Sequence, residues 1–415
     1  MSAGHATPVD DFDPQATDDP ASVYAEFDRM RREAPVARTS AYGGYWALTR
    51  YADVRDAASD SRLFISSVRA VVPSDPRGLR RPPLNFDAPH HTPYRRALDR
   101  TLQRARIDRL EPALRAHARR ELRPLLDTGE GDFASGFGSI FPAWVTSEWL
   151  NLDPDIAPLL ARTAAEWVDG WRRQDGELVT ARSEQMYDIA RDLVADRAAS
   201  PRPVDDDPAS SLLAERDESG AGLDPDQIVA ALRQSLVVGM VAPPILLGAI
   251  VLHLSREPAL QARLRAEPTL IPDAIEEFVR LYSPYRGFAR TVSRPVEIGG
   301  RRLEPGEPVT LAYAAANRDP DVFDAPGEFR LGRPNIAQHL GFGRGRHACV
   351  GMPLARLSLQ IALRELLAAT AAFDADEPPG TGARMPEVGP TAVRMRVVPT
   401  GGASAGSDRG TLEAP

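Results

Sequence analysis

Along the chain the apolar positions follow a helical period far more often than an alternating one, which predicts a mainly α protein with small β-sheets. From Val23 to Arg32, Tyr24, Phe27 and Met30 fall on one side of a helix. Tyr45 to Leu48 reads as a short strand and Ala52 to Ala58 as another helix. The helical period continues, rich in arginine, from Tyr94 to Ala116, and resumes over Phe141 to Glu148 and Pro158 to Trp171. Met352 to Ala372 is strongly amphipathic, and two strand-like runs between Val292 and Val309 flank Gly299-Gly300.

The interruptions are as informative. Ile65 to Asn85 is rich in Pro, Arg and Gly with no sustained period, and loops of that length are more often functional than idle. Ser200 to Pro208 is a surface turn. Asp224-Pro225 opens a long helix, an N-cap residue followed by proline at the first helical position. Pro272 opens another, which must end near Ser283-Pro284. Ala316 to His339 is turn-rich. Residues 1–20 and 400–415 read as loose or disordered tails, and with no internal repeat or linker between them, residues 21–399 are expected to form one domain.

Ser235 to Leu254 carries no Asp, Glu, Lys or Arg and so imitates a membrane span. It also contains adjacent prolines and a histidine, and a capped amphipathic turn leads into it. A helix buried through the middle of a large domain looks equally apolar all round, and that is the expectation here, with no membrane.

Composition narrows the function classes. A chain of 415 residues with 43% hydrophobic content buries a large core, and a net charge of −8 with no polybasic run excludes an obvious nucleic-acid or anionic-lipid surface. All fifty basic residues are arginine, which carries no mechanistic weight. The acidic, polar N-terminus has neither a basic nor an apolar signal region, so a cytoplasmic location is expected. One cysteine excludes an intrachain disulfide framework and a multi-cysteine zinc site. A lone cysteine is ordinarily an inert small hydrophobe, so only its surroundings can argue otherwise.

Those surroundings do argue. Residues 341–351 read GFGRGRHACVG. Glycines let a loop fold tightly beneath a flat cofactor and bring backbone N–H groups near the sulfur. Those donors and the start of the following helix favour a thiolate. Phe342, Gly345, Cys349 and Gly351 resemble the heme-binding signature of the cytochrome P450 family. The resemblance implies heme b (iron-protoporphyrin IX) with its iron bound by Cys349, and it runs from about Val23 to Arg396.

Further segments carry the same resemblance. Glu277 and Arg280, in EEFVR, sit three apart and share a helix face. An exposed pair of that kind is worth a few tenths of a kcal/mol. In the family it is buried and ties its helix to the loop before the cysteine. AANRDPDVFDAPGEF (315–329) resembles the family's meander, but Glu328 stands where many members carry the arginine that completes the network, leaving Arg333 as a weak candidate. FDAPHHTPYRR (86–96) resembles the stretch that binds a heme propionate, which implicates His91 and Arg95; His347 and Arg290 occupy two further propionate-binding positions. His90-His91 could instead be a metal pair, but no third ligand is spaced to complete it.

The resemblance implies a mainly α triangular domain in which the helix from Asp224-Pro225 to about Ser255 passes over the heme. Most members carry an acidic residue followed by threonine in its middle, relaying protons. Here those positions fall at Val241 and Ala242, both apolar. Pro243 and Pro244 then deprive the carbonyls of Gly239 and Met240 of their helical donors, so a kink is expected, and those carbonyls could hold a water or a substrate hydroxyl. Val238, Pro243, Arg286, Phe288 and Thr391 are expected in the substrate pocket, with Arg286 as a candidate partner for a substrate carboxylate. Arg100 and Arg104, with Arg344 and Arg346, are candidates for a basic patch facing an acidic ferredoxin.

The function this implies is activation of dioxygen to oxidise a small organic molecule, with a secondary metabolite as the expected substrate. Electrons would come from NAD(P)H through a ferredoxin reductase and ferredoxin. Because the acid–alcohol pair is missing, oxidative coupling, ring formation or peroxide-driven chemistry is an alternative. Fatty-acid peroxygenases of the family carry an arginine before a proline in this helix, and Ala242 disfavours that version. A non-oxidising heme-binding protein is the remaining alternative.

Overall fold

The computed structural model describes residues 11–72 and 80–400. Its helices are α1 Pro20–Glu33, α2 Tyr51–Ser59, α3 His91–Arg100, α4 Arg104–Thr128, α5 Phe137–Leu150, α6 Ile156–Arg173 and α7 Gly176–Ala199. They continue with α8 Pro208–Ala214, α9 Pro225–Val238, α10 Ala242–Arg256, α11 Pro258–Ala266, α12 Ile271–Leu281, α13 Tyr313–Ala316 and α14 Met352–Ala369. Proline opens α1, α8 and α9, and an aspartate precedes it each time. The proline lacks an N–H that would go unpaired there, and Asp19, Asp207 and Asp224 each accept from a first-turn N–H.

The strands are β1 Val36–Thr39, β2 Tyr45–Leu48, β3 Phe64–Ile65, β4 Glu130–Asp132, β5 Phe288–Val292, β6 Val296–Ile298, β7 Arg301–Leu303, β8 Pro308–Leu311, β9 Thr370–Asp376 and β10 Arg394–Pro399. They form sheets in the orders β1-β2-β8-β5-β3, β4-β10-β9 and β6-β7. Pairing of Phe288 with Leu311 and Arg290 with Val309 sets the register of β5. Because strand side chains alternate, Phe288 and Arg290 share a face, and both line the central cavity.

The expected elements are present with three differences. The period over Tyr94 to Ala116 is two helices: Thr101 hydrogen-bonds back to the Leu98 carbonyl, and Gln103 turns extended before α4. The long α7 escapes a hydrophobicity reading because small or polar residues, Ser183 and Ala190, occupy its buried face beside Val179, Met186 and Leu193. Residues 11–19, expected in a loose tail, are held: Phe12 packs edge-on against Tyr45, and Arg286 donates to the carbonyls of Pro14 and Thr17. Residues 1–10 and 401–415 of the expected tails lie outside the described residues, as does 73–79 of the long loop.

The largest core joins α4, α5, α10, α12 and α14, with Leu114, Phe141, Ile250, Phe278 and Ile361 among its enclosed side chains. The segment Pro225–Arg256 is apolar enough to cross a membrane by composition, but most of it is buried inside the protein, as expected. Its apolar surface is satisfied by neighbouring helices, which removes the reason for lipid.

Candidate active site

The loop before α14 is built around close approaches. Gly345 has φ +71°, and a Cβ there would strike the Ala58 carbonyl, so only glycine fits. The Cys349 N–H donates to the Phe342 carbonyl at 2.8 Å, closing the loop on itself. Cys349 is exposed, and the surface it exposes lines a cavity of about 660 Å³. Deep placement pushes the thiol pKa up, while the Gly351 N–H pulls it down; burial wins, so the sulfur of the free protein holds its proton.

Basic side chains stand along the same wall. His91, at the start of α3, is 2% exposed, and neither ring nitrogen has a hydrogen-bond partner. Its ring centroid lies 4.6 Å from that of His347. Burial, then the neighbouring His347, Arg95 and Arg346, lower the His91 pKa to about 3. His347 sits 3.7 Å from Asp87, too far for a hydrogen bond, and burial lowers its pKa too. Arg95 donates to Asp99 at 2.8 Å and to the Ala348 carbonyl, linking α3 to the cysteine loop. Arg290 is 4% exposed and donates to the carbonyl of its own neighbour Ala289. All four line the cavity with Cys349, Phe342 and Gly351. A buried imidazole with no partner on either nitrogen, a second whose Nε2 has none within hydrogen-bond distance, and two cations around a thiol fit a cofactor that brings a metal and carboxylates. Among the described residues no cluster of three His, Cys, Asp or Glu could hold a metal by itself.

Behind the loop, Glu277 and Arg280 are 1% and 0% exposed. Two bonds of 2.7 Å join them, and Arg333 donates to the same carboxylate at 3.0 Å. Arg280 also donates to the carbonyls of Asn317, Pro326 and Glu328, and Arg333 to that of Glu328. Arg333 therefore closes the network. Glu328 contributes its backbone there and turns its carboxylate outward to Arg330.

On the opposite wall the expected continuous helix is interrupted. α9 ends at Val238, Gly239 to Val241 form a turn, and α10 begins at Ala242. The break falls one turn before Pro243-Pro244, where the missing N–H groups act. Val238, Gly239, Val241, Ala242, Pro243 and Phe288 line the cavity. Met240 does not; its side chain is buried in the main core.

Two pocket expectations are corrected. Arg286 is 6% exposed and faces away from this cavity: it donates to the carbonyls of Glu387, Pro14 and Thr17, fastening the N-terminal segment. Thr391 hydrogen-bonds the Thr381 carbonyl and is not in the cavity wall. In that region Pro386 and Glu387 line it instead, and burial raises the Glu387 pKa. On the cysteine side, Arg100 is neutralised by Glu215 at 2.9 Å and Arg104 is paired with Asp108, whereas Arg344 and Arg346 remain exposed.

The sequence reading did not single out Thr146, Arg233 or the Trp167 ring, all of which line the cavity. Trp167 and Trp171, one turn apart on α6, were the available signal. Arg233 is fully buried, with its guanidinium 5.0 Å from the Trp167 ring centroid and a 3.1 Å bond to Ser183. Nothing in its sequence neighbourhood marks an arginine inside an apolar helix as enclosed.

The Cytochrome P450 family model matches residues 164–398. Cytochrome P450-terp of Pseudomonas sp is 29% identical, covering 88% of this chain and 91% of that protein. Cyclomarin C epoxidase CymV of Salinispora arenicola is 32% identical, covering 80% of this chain and 85% of that protein. Among solved structures, CYP108D1 from Novosphingobium aromaticivorans superposes with a TM-score of 0.82 at 25% identity, covering 92% and 97% of the two chains. HmtN, a post-tailoring hydroxylase involved in himastatin biosynthesis, matches with a TM-score of 0.76 at 28% identity, covering 85% and 90%.

Proposed function

Because the chain belongs to the cytochrome P450 family it is a P450 oxidoreductase, and we propose that it binds heme b through Cys349 to oxidise a small, largely apolar molecule. The observation that carries this reading is the chain's one cysteine, which opens onto a cavity of about 660 Å³ beside His91, a buried imidazole with no hydrogen-bond partner on either ring nitrogen. When bound, the heme-thiolate supplies dioxygen reduction and oxygen transfer, the thiolate's donation favouring O–O cleavage.

This chain's residues have separable tasks. Cys349 gives up its proton on ligation, and the Gly351 N–H steadies the sulfur's charge. His91, Arg95, Arg290 and His347 hold the propionates. Val238, Val241, Ala242, Pro243 and Phe288 present an apolar wall that orients substrate and keeps bulk water out. Cyclomarin epoxidase and the himastatin hydroxylase support a secondary metabolite as substrate. A ferredoxin and its reductase supply the electrons, and exposed Arg344 and Arg346 offer an acidic ferredoxin a contact.

A second reading, oxidative coupling or ring formation, is favoured by one observation: Val241 and Ala242 provide no titratable proton and no hydroxyl. Isotope labelling separates the two. Compounds that shift the heme spectrum are incubated with reductase, ferredoxin, NAD(P)H and labelled dioxygen. One labelled oxygen in the product supports monooxygenation. An oxidised product without label supports coupling, and unchanged substrate from every spectral binder would overturn both.

A further inference from the structure

Thr146 lies in the middle of α5, whose residues Pro142, Val145, Thr146 and Trp149 form one helix face on the cavity. Threonine or serine in a helix commonly returns its hydroxyl to the carbonyl four residues back, as Ser235 does in α9. Thr146 makes no such bond, nor any other to a described residue, although only 3% of it is exposed. Its hydroxyl points instead at the break in the distal helix: a Cβ on Gly239 would lie 2.7 Å from Oγ1. Glycine at 239 is what admits it.

Two polar groups therefore stand at the same break. The Thr146 hydroxyl both donates and accepts, and the Gly239 carbonyl has lost its helical donor to Pro243. A hydroxyl and a carbonyl sharing a polar niche in an otherwise apolar wall make an ordered-water site. We propose that Thr146 and the Gly239 carbonyl bind one water on the distal wall, and that Thr146 is a positioning residue for proton supply in place of the side chains absent at Val241 and Ala242. The role rests on the monooxygenase reading above. In that reaction dioxygen, two ferredoxin-derived electrons and two protons convert a C–H bond to C–OH and release water. If the protons arrive without being placed for oxygen transfer, the same dioxygen, two electrons and two protons leave as hydrogen peroxide.

The test compares wild type, Thr146→Val and Thr146→Ser, each first shown to have equal heme content and melting temperature. Crystals of the heme-loaded proteins should show a water within hydrogen-bond distance of both Oγ1 and the Gly239 carbonyl in wild type and Thr146→Ser, and none in Thr146→Val. During turnover Thr146→Val should release about five-fold more peroxide per NAD(P)H, the factor expected for one ordinary hydrogen bond, with Thr146→Ser close to wild type. A dry niche in wild type, or equal peroxide release in all three, overturns the proposal. Wild-type protein that takes no electrons overturns the functional reading and the positioning role, and the water then stands or falls on the diffraction map.

Discussion

Replacing Glu277 by alanine should be the most damaging single change outside the cysteine loop. Its carboxylate accepts two bonds from Arg280, one from the Arg330 backbone N–H and two from Arg333 Nε, all between 2.7 and 3.2 Å. Arg280 and Arg333 are 0% and 5% exposed, so water cannot replace the lost acceptor. Breaking a buried pair by removing one partner costs roughly 3–5 kcal/mol, since a charge is left buried and uncompensated. Here two guanidinium groups are stranded, which places the loss at the upper end, against a typical total stability of about 5–15 kcal/mol. The meander that Arg280 and Arg333 clamp leads into the cysteine loop, so heme content should fall with stability. The assay is urea unfolding followed by circular dichroism, with heme quantified per chain. Replacing Glu277, Arg280 and Arg333 together by apolar residues should recover only part of the loss, because no bare charge remains but the carbonyls of Asn317, Pro326 and Glu328 lose their donors. A loss below ~1 kcal/mol for Glu277→Ala, the range of an exposed pair, with full heme content would refute the reasoning.

Arg290→Met should weaken heme retention by a factor of roughly 10–100, the value of one or two hydrogen bonds to a charged group, measured by heme transfer to apomyoglobin. Arg286→Met should lower stability by about 1–3 kcal/mol through its orphaned carbonyls while leaving the dissociation constants of carboxylate ligands unchanged. His253 lies against Tyr282, Phe278 and Phe329, with Glu257 and Arg256 nearby, and burial lowers its pKa below 6.5. Its neutral form favours the fold, so stability should fall as pH drops below about 6.5 toward the folded value, and His253→Phe should flatten that slope. Gly345→Ala should give heme-poor protein, because the new methyl strikes the Ala58 carbonyl and φ is +71°; normal heme loading would remove that argument.

What the sequence made legible is mostly local chemistry. GFGRGRHACVG must bend tightly around one sulfur, so its glycines and cysteine stand together in the chain. Glu277 and Arg280 share a helix face, and Pro243-Pro244 deprive nearby carbonyls of donors wherever the helix sits. Long-range placement was harder. Arg286 is flanked by residues that look like a pocket, yet its partners come from residues 14–17 and 383–387, which no local pattern connects. Glu387 lines the cavity four residues before Thr391, the residue expected there, which faces elsewhere. Arg333 became a network member because the meander folds back on α12, a register that the spacing alone leaves open. Thr146 had no signal beyond being a polar residue in an apolar helix, and its meaning depends on Gly239 arriving from another helix.

The central claim is that Cys349 ligates the heme iron as a thiolate. Heme-loaded protein is reduced, exposed to carbon monoxide, and its absorption difference recorded beside that of Cys349→Ser. Wild type should absorb near the wavelength that gives the family its name, and Cys349→Ser should lose that band while keeping its helical circular dichroism. A wild type without the band, or a serine variant that retains it, would contradict the account.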